Sequence, residues 1–243
     1  MKTSNKIVLG IFVGPLLLLT LLQVTLYAKY KSGHYVSMQS VQEDRFIHVP
    51  LTNISHIAVY GLNNFKIMPS DNLKLEIEKE EISHLHYIVK GDSLIIHGDT
   101  LLTRSNGDKQ TERSYQDVNL YLPMAAATIL ADNAEVTLLG SKDSVKARSY
   151  YFSIVNDASL KVDQNGEETK PVYFKGLTIK ASHSSGIELT AQTRVMDLEL
   201  TMIESAFTDN GASIEKLAVD ADKVSNITLK GDNLRKVNAV KQP

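Results

Sequence analysis

Residues 177–200 read LTIKASHSSGIELTAQTRVMDLEL, and this stretch decides the fold. It contains three triplets in which a polar residue separates two apolar residues, at 177–179, 187–189 and 198–200, and their starts lie 10 and 11 residues apart. A period of two is typical of a β-strand, because successive side chains point to opposite faces. The stretch therefore predicts very short strands that recur about every ten residues.

The same rhythm extends along the chain in both directions. Towards the C-terminus, triplets begin at Leu217, Ile227 and Val237. The triplets at 198 and 217 are two intervals apart, and Ala206 with Phe207 lies at the position of the missing triplet between them. Towards the N-terminus the triplets are less evenly spaced, at 118–120, 136–138, 145–147, 152–154 and 160–162. Small or polar residues separate the triplets, at 131–134, 156–158, 182–186 and 209–212.

The repeat predicts an all-β fold of stacked turns. A three-residue strand buries two side chains and is not stable alone. If the chain turns every ten residues, two or more steps make a coil of about twenty, and stacked coils share a column of inward residues. Asn, Asp, Ser and Gly suit the corners because they accept left-handed backbone conformations. The pattern favours a parallel β-solenoid over residues 117–240; the alternative, a β-sandwich, would have longer strands and less regular spacing.

Residues 46–98 carry a related but less regular pattern. Strands are predicted at 57–60, 65–67, 73–77, 85–89 and 94–96, with turns between them. We expect these strands to form the first coils of the solenoid or a sheet that caps its end, so that the β-domain spans residues 46–240. The polar segments 99–116 and 163–170 are predicted to be surface loops.

The N-terminal segment predicts one transmembrane helix. Residues 7–28 carry no charge, and 22 helical residues span about 33 Å, close to the roughly 30 Å of a bilayer core. Residues 1–6 would be a cytoplasmic head, residues 29–45 a polar stalk, and the β-domain would lie outside the cytoplasm. A cleaved signal peptide, which would give a secreted protein, is the alternative, but residues 24–28 make a poor cleavage site. A buried core helix is a third, less fitting interpretation of so long an apolar run.

The composition excludes several classes of function. The chain has 243 residues, a formal net charge of −2 and no clustered basic face of the kind that binds nucleic acid. It has no cysteine, which excludes disulfides, thiolate metal sites, iron–sulfur clusters and a cysteine nucleophile. No Gly-rich phosphate loop, nucleophile elbow or His-Glu-x-x-His motif occurs.

The histidines invite a search for a metal site. His84 and His86 are two residues apart, which would place both on one face of a strand, and with His97 or His56 they could bind zinc or copper. The other interpretation is a pair of exposed strand histidines, since no carboxylate spacing completes the set. We therefore predict no metal or cofactor.

Aspartates at the corners invite a search for a catalytic site. A β-helical polysaccharide lyase or hydrolase would gather such carboxylates on one outer face. Turn chemistry explains the same residues. The candidates are Asp132, Asp157, Asp209, Asp220 and Asp222. Tyr150 and Tyr151 could supply a binding surface, or lie half-buried on a β face. No catalytic residue is predicted.

Residues 46–238 resemble the auto-transporter adhesin family known as the head GIN domain, which is common in Bacteroidota. The likeness lies in IAVYGLNNFKI at 57–67, LKLEI at 73–77, KGDSLII at 90–96 and VNLYLP at 118–123, followed by small-polar corners before short strands. The chain lacks a Gly-Ile-Asn tripeptide, and the nearest match is Gly-Ile-Glu at 186–188. The resemblance implies a right-handed β-helix and no established activity.

The sequence thus favours a non-enzymatic binding or structural module of the cell envelope, held by a single membrane span. Long repetitive faces would suit contact with an envelope polysaccharide, peptidoglycan or a protein. A carbohydrate-active enzyme on the same scaffold is the alternative. An envelope sensor that works with a membrane partner is a third possibility.

Overall fold

A computed structural model of the chain describes residues 3–33, 45–80, 82–105, 108–123, 127–163 and 170–236. It divides into two compact units, Met1–Arg45 and Phe46–Pro243. Each unit is described by itself below.

The first unit is built on one long apolar helix, α1, which runs from Thr3 to Lys31. Its segment Phe12–Lys31 is long and apolar enough to cross a membrane, a test that a signal sequence also passes. The hydroxyls of Thr20 and Thr25 donate to helix carbonyl oxygens one turn back, at 3.0 and 2.6 Å, so neither needs water. The predicted span 7–28 lies inside this helix, whereas most of the predicted stalk, residues 34–44, lies outside the described residues.

The second unit consists almost entirely of strands. They are β1 Phe46–Pro50, β2 His56–Tyr60, β3 Leu62–Pro69, β4 Lys74–Glu78, β5 Leu85–Lys90, β6 Ser93–Gly98, β7 Thr100–Ser105, β8 Asp108–Leu122, β9 Thr128–Asp132, β10 Glu135–Leu139, β11 Arg148–Val155, β12 Ser159–Asp163, β13 Val172–Ser182, β14 Gly186–Leu189, β15 Thr193–Ile203, β16 Ala206–Asp209, β17 Ser213–Ala221 and β18 Asn226–Thr228.

The strands form two mixed sheets, neither of which closes on itself. Sheet A has the order β1-β4-β8-β3-β10-β12-β14-β16-β18, with β7 on β8, and sheet B has the order β17-β15-β13-β11-β9-β2-β6-β5. From β9 onwards consecutive strands alternate between the sheets, and each pairs in parallel with the strand two places further on. Antiparallel pairs involve β1, β4, β5 and β7.

The register agrees with the spacing of the triplets. Ile187 pairs with Phe207 and Phe207 with Ile227, so the same position recurs after twenty residues in sheet A. In sheet B, Leu177 pairs with Leu198, which is 21 residues further along the chain. Residues 177–179, 187–189 and 198–200 lie in strands as predicted, and their outer two residues point inwards. The strands are longer than predicted in sheet B, where β13 and β15 each have 11 residues.

The inward residues of both sheets form one hydrophobic core. Neighbouring strands place them in register, and none of the fourteen that follow is more than 4% exposed. One column comes from sheet A and contains Ile77, Val118, Phe65, Val136, Leu160, Ile187 and Phe207; the other comes from sheet B and contains Leu94, Ile57, Ile129, Phe152, Ile179, Leu200 and Val219. Burying each such large side chain contributes about 1.5–3 kcal/mol to stability.

The turns from sheet B to sheet A repeat one arrangement, which we call the corner column. At four of these turns a residue with a left-handed backbone precedes a small residue that is buried. The left-handed residues include Asn133, Asn156, His183 and Glu204, with φ between 48° and 55°. The small buried residues are Ala134, Ala158, Ser185 and Ser205, and the carbonyl oxygen of each accepts an N–H from the next turn at 2.9 Å. The predicted Asn and Ser corners are confirmed.

Two local predictions were wrong. Residues 145–147 do not form a strand, because the Asp143 carboxylate accepts the N–H of Val145 at 2.9 Å and caps a 3₁₀ turn, Ser144–Lys146. Residues 99–116 are not a loop, because β7 and β8 pair as an antiparallel hairpin. The two residues between them are Asn106 and Gly107, the dipeptide most favoured in two-residue hairpins.

Strand β9 was not predicted, and two other predictions fall on residues outside the described ranges. Residues 131–134 were interpreted as a corner, but Ala131 and Asp132 end β9, which pairs with β2 and β11. Residues 164–169 of the predicted second loop and the triplet that begins at Val237 lie outside the described residues.

Candidate binding face

The outer face of sheet A carries an open groove of about 590 Å³, which we call the sheet A groove. Its lining comes from β10, β12, β14 and β16, whose register places outward residues in two rows. The first row contains Glu135, Ser159, Gly186 and Ala206, and the second contains Thr137, Lys161, Glu188 and Thr208. Because parallel strands repeat about every 4.8 Å, the second row presents polar groups at a regular interval.

We call the first row the floor of the groove, and three of its four residues are small, namely Ser159, Gly186 and Ala206. A Cβ atom added at Gly186 would meet nothing within 4 Å. Gly186 is also absent from the residues of positive φ, so its backbone does not require glycine. The fold would accept a larger residue here, and the missing side chain instead keeps the groove open. Gly140 is the opposite case, since an added Cβ would lie 2.6 Å from Cβ of Val172.

The walls of the groove are polar and partly paired. Lys161 Nζ lies 3.0 Å from an Asp163 carboxylate oxygen, and the hydrogen bond and charge of Asp163, with the charge of Glu188, raise the pKa of Lys161. The Asn210 amide donates to Glu188 Oε1 at 2.7 Å. The second row therefore places a lysine donor beside a glutamate acceptor, with a threonine hydroxyl at each end. Such a face can hydrogen-bond a hydroxyl-rich chain laid across the strands.

The groove residues were not singled out from the sequence, although a signal for them existed. Thr137, Lys161 and Glu188 are the central residues of triplets whose outer residues are buried. The middle residue of each triplet is therefore the one that faces solvent. Stacking these middle residues in the register of the triplets would have predicted the second row.

His84 and His86 do not both lie in a strand, which corrects the sequence interpretation. His84 ends a 3₁₀ turn, Ile82–His84, whereas His86 lies in β5. A ring nitrogen of each lies 3.6 Å from the Asp99 carboxylate. His97 lies opposite His86, while His56 is elsewhere, 3.8 Å from Asp92. Within the parts of the chain that the structure describes, no group of three or more His, Cys, Asp or Glu side chains is placed to hold a metal ion.

Asp209 is the most buried of the corner aspartates, with no exposed surface. Its carboxylate accepts the N–H groups of Gly211 and Ala212, both at 2.7 Å, and the side-chain amide of Asn233 at 2.8 Å. Asn233 also donates to the carbonyl oxygen of Ala212 at 2.7 Å. Asp209 thus organises the turn from β16 to β17 and ties the final 3₁₀ turn, Gly231–Arg235, to it.

The other candidate aspartates also have local roles or lie apart. Asp222 accepts the Ser225 hydroxyl at 2.6 Å and the N–H of Glu204 at 3.2 Å, and these bonds, led by the hydroxyl of Ser225, lower its pKa. Asp132 accepts the Asn156 amide at 2.9 Å. Asp157 itself has a left-handed backbone, with φ of 60°. Asp220 is exposed on β17. The turn interpretation therefore accounts for Asp157, Asp209 and Asp222, whereas Asp132 lies at the end of β9.

The two predicted tyrosines point to opposite sides of β11. Tyr151 is 45% exposed on the outer face of sheet B. Tyr150 is 5% exposed and packs edge-on against Phe174, with ring centroids 6.1 Å apart. Burial raises the pKa of Tyr150, against the opposing effect of Arg148. Only Tyr151 can contribute to a surface.

Several solved structures are similar to this chain. A "putative adhesin" from Parabacteroides distasonis has a TM-score of 0.49 and 12% identity, over 76% of this chain and 73% of that one. A "putative cell adhesion protein" from Clostridium sporogenes has a TM-score of 0.33 and 12% identity, over 76% and 99%. A "putative lipid binding protein" from Parabacteroides distasonis has a TM-score of 0.31 and 11% identity, over 75% and 92%. All three TM-scores are below 0.5, so these likenesses assign no function.

No model of a known protein family matches the chain, and no curated protein matches it.

Proposed function

We propose that the unit Phe46–Pro243 is a non-catalytic binding module of the cell envelope, and that it holds a hydroxyl-rich polymer, such as an envelope polysaccharide, in the sheet A groove. The observation that carries the proposal is Gly186. Open space lies above a strand residue whose backbone does not need glycine. A strand is stabilised by a larger residue at such a position, so the groove is kept open at a cost in stability.

The proposal includes a finer description of the fold. We place residues 46–236 in a right-handed parallel β-helix of the head GIN type, which is the handedness that the sequence resemblance implies. The strict alternation of strands between the sheets from β9 onwards supports this, as does the repeat of register after 20 or 21 residues. The parallel pairing of β2 and β3 with β9 and β10 extends the same stack towards the N-terminus.

The proposal also includes a location. Helix α1 is the single membrane anchor, and the β unit lies on the extracytoplasmic side, where polymers of the envelope are reached. The apolar segment Phe12–Lys31 supports this assignment. A cleaved leader, which would release the β unit, is the competing assignment.

Two matched substitutions test the groove. Ala206→Leu adds a large side chain to the floor of the sheet A groove, whereas Ala218→Leu adds the same side chain to the exposed outer face of sheet B. The full chain in neutral detergent is applied to a glycan array that includes envelope polysaccharides. We expect the unsubstituted chain and A218L to bind the same glycans, and A206L to bind them about tenfold more weakly or worse, a loss of about 1.4 kcal/mol.

Three results would contradict the proposal. The first is that no glycan binds, and the second is that A206L and A218L weaken binding equally. The third is that a bound glycan is cleaved by the purified chain, which would make the module an enzyme.

A further inference from the structure

Arg148 is a buried cation at the start of β11, away from the residues that line the sheet A groove. Its side chain is 7% exposed. Nη1 donates to the carbonyl oxygens of Ser70 and Leu122, at 3.0 and 2.6 Å. Nε is buried and has no hydrogen-bond partner among the described residues. A side-chain hydrogen bond also joins Arg148 to Tyr150. These partners do not use all five N–H groups of the guanidinium, so donor capacity is left.

The carboxylate that faces Arg148 is a weak partner. Asp71 Oδ1 lies 3.7 Å from Nη2, which is beyond hydrogen-bond distance, and the Asp71 side chain is 87% exposed. An ion pair whose acidic member is solvated is screened and contributes little. A buried cation normally requires close pairing, so Arg148 is under-compensated by the protein itself. Asp71 also marks the direction from which an anion in solution can reach Nη2.

Arg148 lines a pocket of about 540 Å³ that carries further positive charge. Lys142 and Lys146 line the same pocket, and so does Asp71. The second acidic residue of the lining, Asp143, is committed to capping the 3₁₀ turn. Met68, Pro69 and Leu139 supply an apolar wall. The lining thus combines three cations with a surface on which the apolar face of a small ring can pack.

We infer that this pocket is a binding site for an oxyanion, a carboxylate or phosphate group on a small or polymeric ligand. Nη2, which faces the exposed Asp71 side chain, can donate a charge-assisted hydrogen bond to an oxygen atom of such a group, and the two lysines add long-range attraction. The ligand group takes the place of Asp71 beside Nη2. The site is independent of the sheet A groove and stands whether or not that groove binds a glycan.

The test uses the full chain in neutral detergent and two probes, inorganic phosphate and glucuronate, with glucose as the uncharged control. Binding is measured by isothermal titration calorimetry at fixed ionic strength. We expect saturable binding of phosphate or glucuronate and none of glucose. A preference for glucuronate identifies a carboxylate ligand, and a preference for phosphate identifies a phosphate ligand; either supports the site.

The decisive variant is Asp71→Asn. It removes the competing negative charge beside Nη2, so anion affinity should rise about threefold, the effect of one unit charge a few ångströms away in a solvated site. Asp197→Asn is the matched control, because Asp197 is also exposed and lies 3.2 Å from a cation, Lys216, on sheet B. It changes the net charge equally and should leave the affinity unchanged.

A second variant keeps the test independent of the buried arginine. Lys142→Ala with Lys146→Ala removes two cations of the lining and should weaken anion binding several-fold, in the direction opposite to D71N. The inference is overturned if neither anion gives a saturable isotherm. It is equally overturned if D71N and D197N have the same effect, because Arg148 would then only anchor the carbonyl oxygens of Ser70 and Leu122.

Discussion

At the scale of single residues, Asp209 shows how a corner carboxylate can matter without being catalytic. It is fully buried, yet its oxygens accept two backbone N–H groups and the Asn233 amide at 2.7–2.8 Å. The backbone N–H of Lys230 is a further, longer donor at 3.2 Å. Hydrogen bonds to a charged acceptor are stronger than neutral ones, and removing the acceptor leaves buried donors without partners.

Asp209→Ala should therefore lower the free energy of unfolding by about 3 kcal/mol, the cost of several orphaned buried donors. Urea denaturation of the full chain in detergent, followed by the β signal in circular dichroism, measures the change. Asp220→Ala is the matched control, because Asp220 is exposed on the neighbouring strand, and we expect a change of less than about 0.5 kcal/mol. Equal effects of the two substitutions would refute the role given to Asp209.

At the scale of elements, the repeated triplets predicted most strands. The reason is that every strand must supply apolar residues to the same core, and it does so at matching positions of the register. Strands 177–179, 187–189 and 198–200 were recognised for this reason. Where local hydrogen bonding competes with the apolar pattern, the prediction was wrong. Val145 fits the triplet pattern but is 90% exposed, since Asp143 caps a turn around it.

The candidate sites could be predicted less well than the strands. A groove depends on which outward residues become neighbours, and that requires the exact register between strands distant in sequence, as between Ser159 and Gly186. The pocket at Arg148 depends on contacts with Ser70 and Leu122, which are 78 and 26 residues away along the chain. The sequence around Arg148 does not predict its contacts with these two residues.

The twenty-residue register leads to a deletion experiment on whole elements. Removing residues 187–206 joins Gly186 to Phe207, and because Gly186 already pairs with Ala206, the strands on either side keep their sheets. We expect a folded, shorter protein with cooperative urea unfolding and an m-value about one tenth lower, because repeats contact chiefly their neighbours.

The control deletion, residues 187–196, removes only half of that interval. It brings a sheet B strand to a sheet A position, so inward and outward residues are exchanged at the junction, and we expect it not to fold. If both deletions unfold the protein, the β-helix assignment fails and a sandwich is favoured.

At the scale of the whole chain, the proposed location gives a simple expectation. When the full chain is expressed in a bacterial host, the protein should sediment with membranes and resist extraction at high salt. The long apolar segment Phe12–Lys31 would be held by hydrophobic burial, which salt does not screen. Mass determination of the purified protein should show that residues 7–28 are present. A soluble product that begins after residue 28 would instead establish a cleaved leader.

Neither sheet closes on itself, so each has edge strands, and β17 is an edge strand of sheet B. The final 3₁₀ turn, Gly231–Arg235, follows close to this edge in the chain. Beyond β17 the chain folds back, the Asn233 amide meets Asp209, and Lys236 Nζ donates to the carbonyl oxygen of Ile214 at 2.7 Å. The unpaired N–H and C=O groups of an exposed edge strand can pair with another polypeptide, which leads to aggregation. Lys236 thus occupies one carbonyl oxygen at the outer edge of β17, and we expect a chain that lacks residues 231–236 to expose more of that edge to other polypeptides.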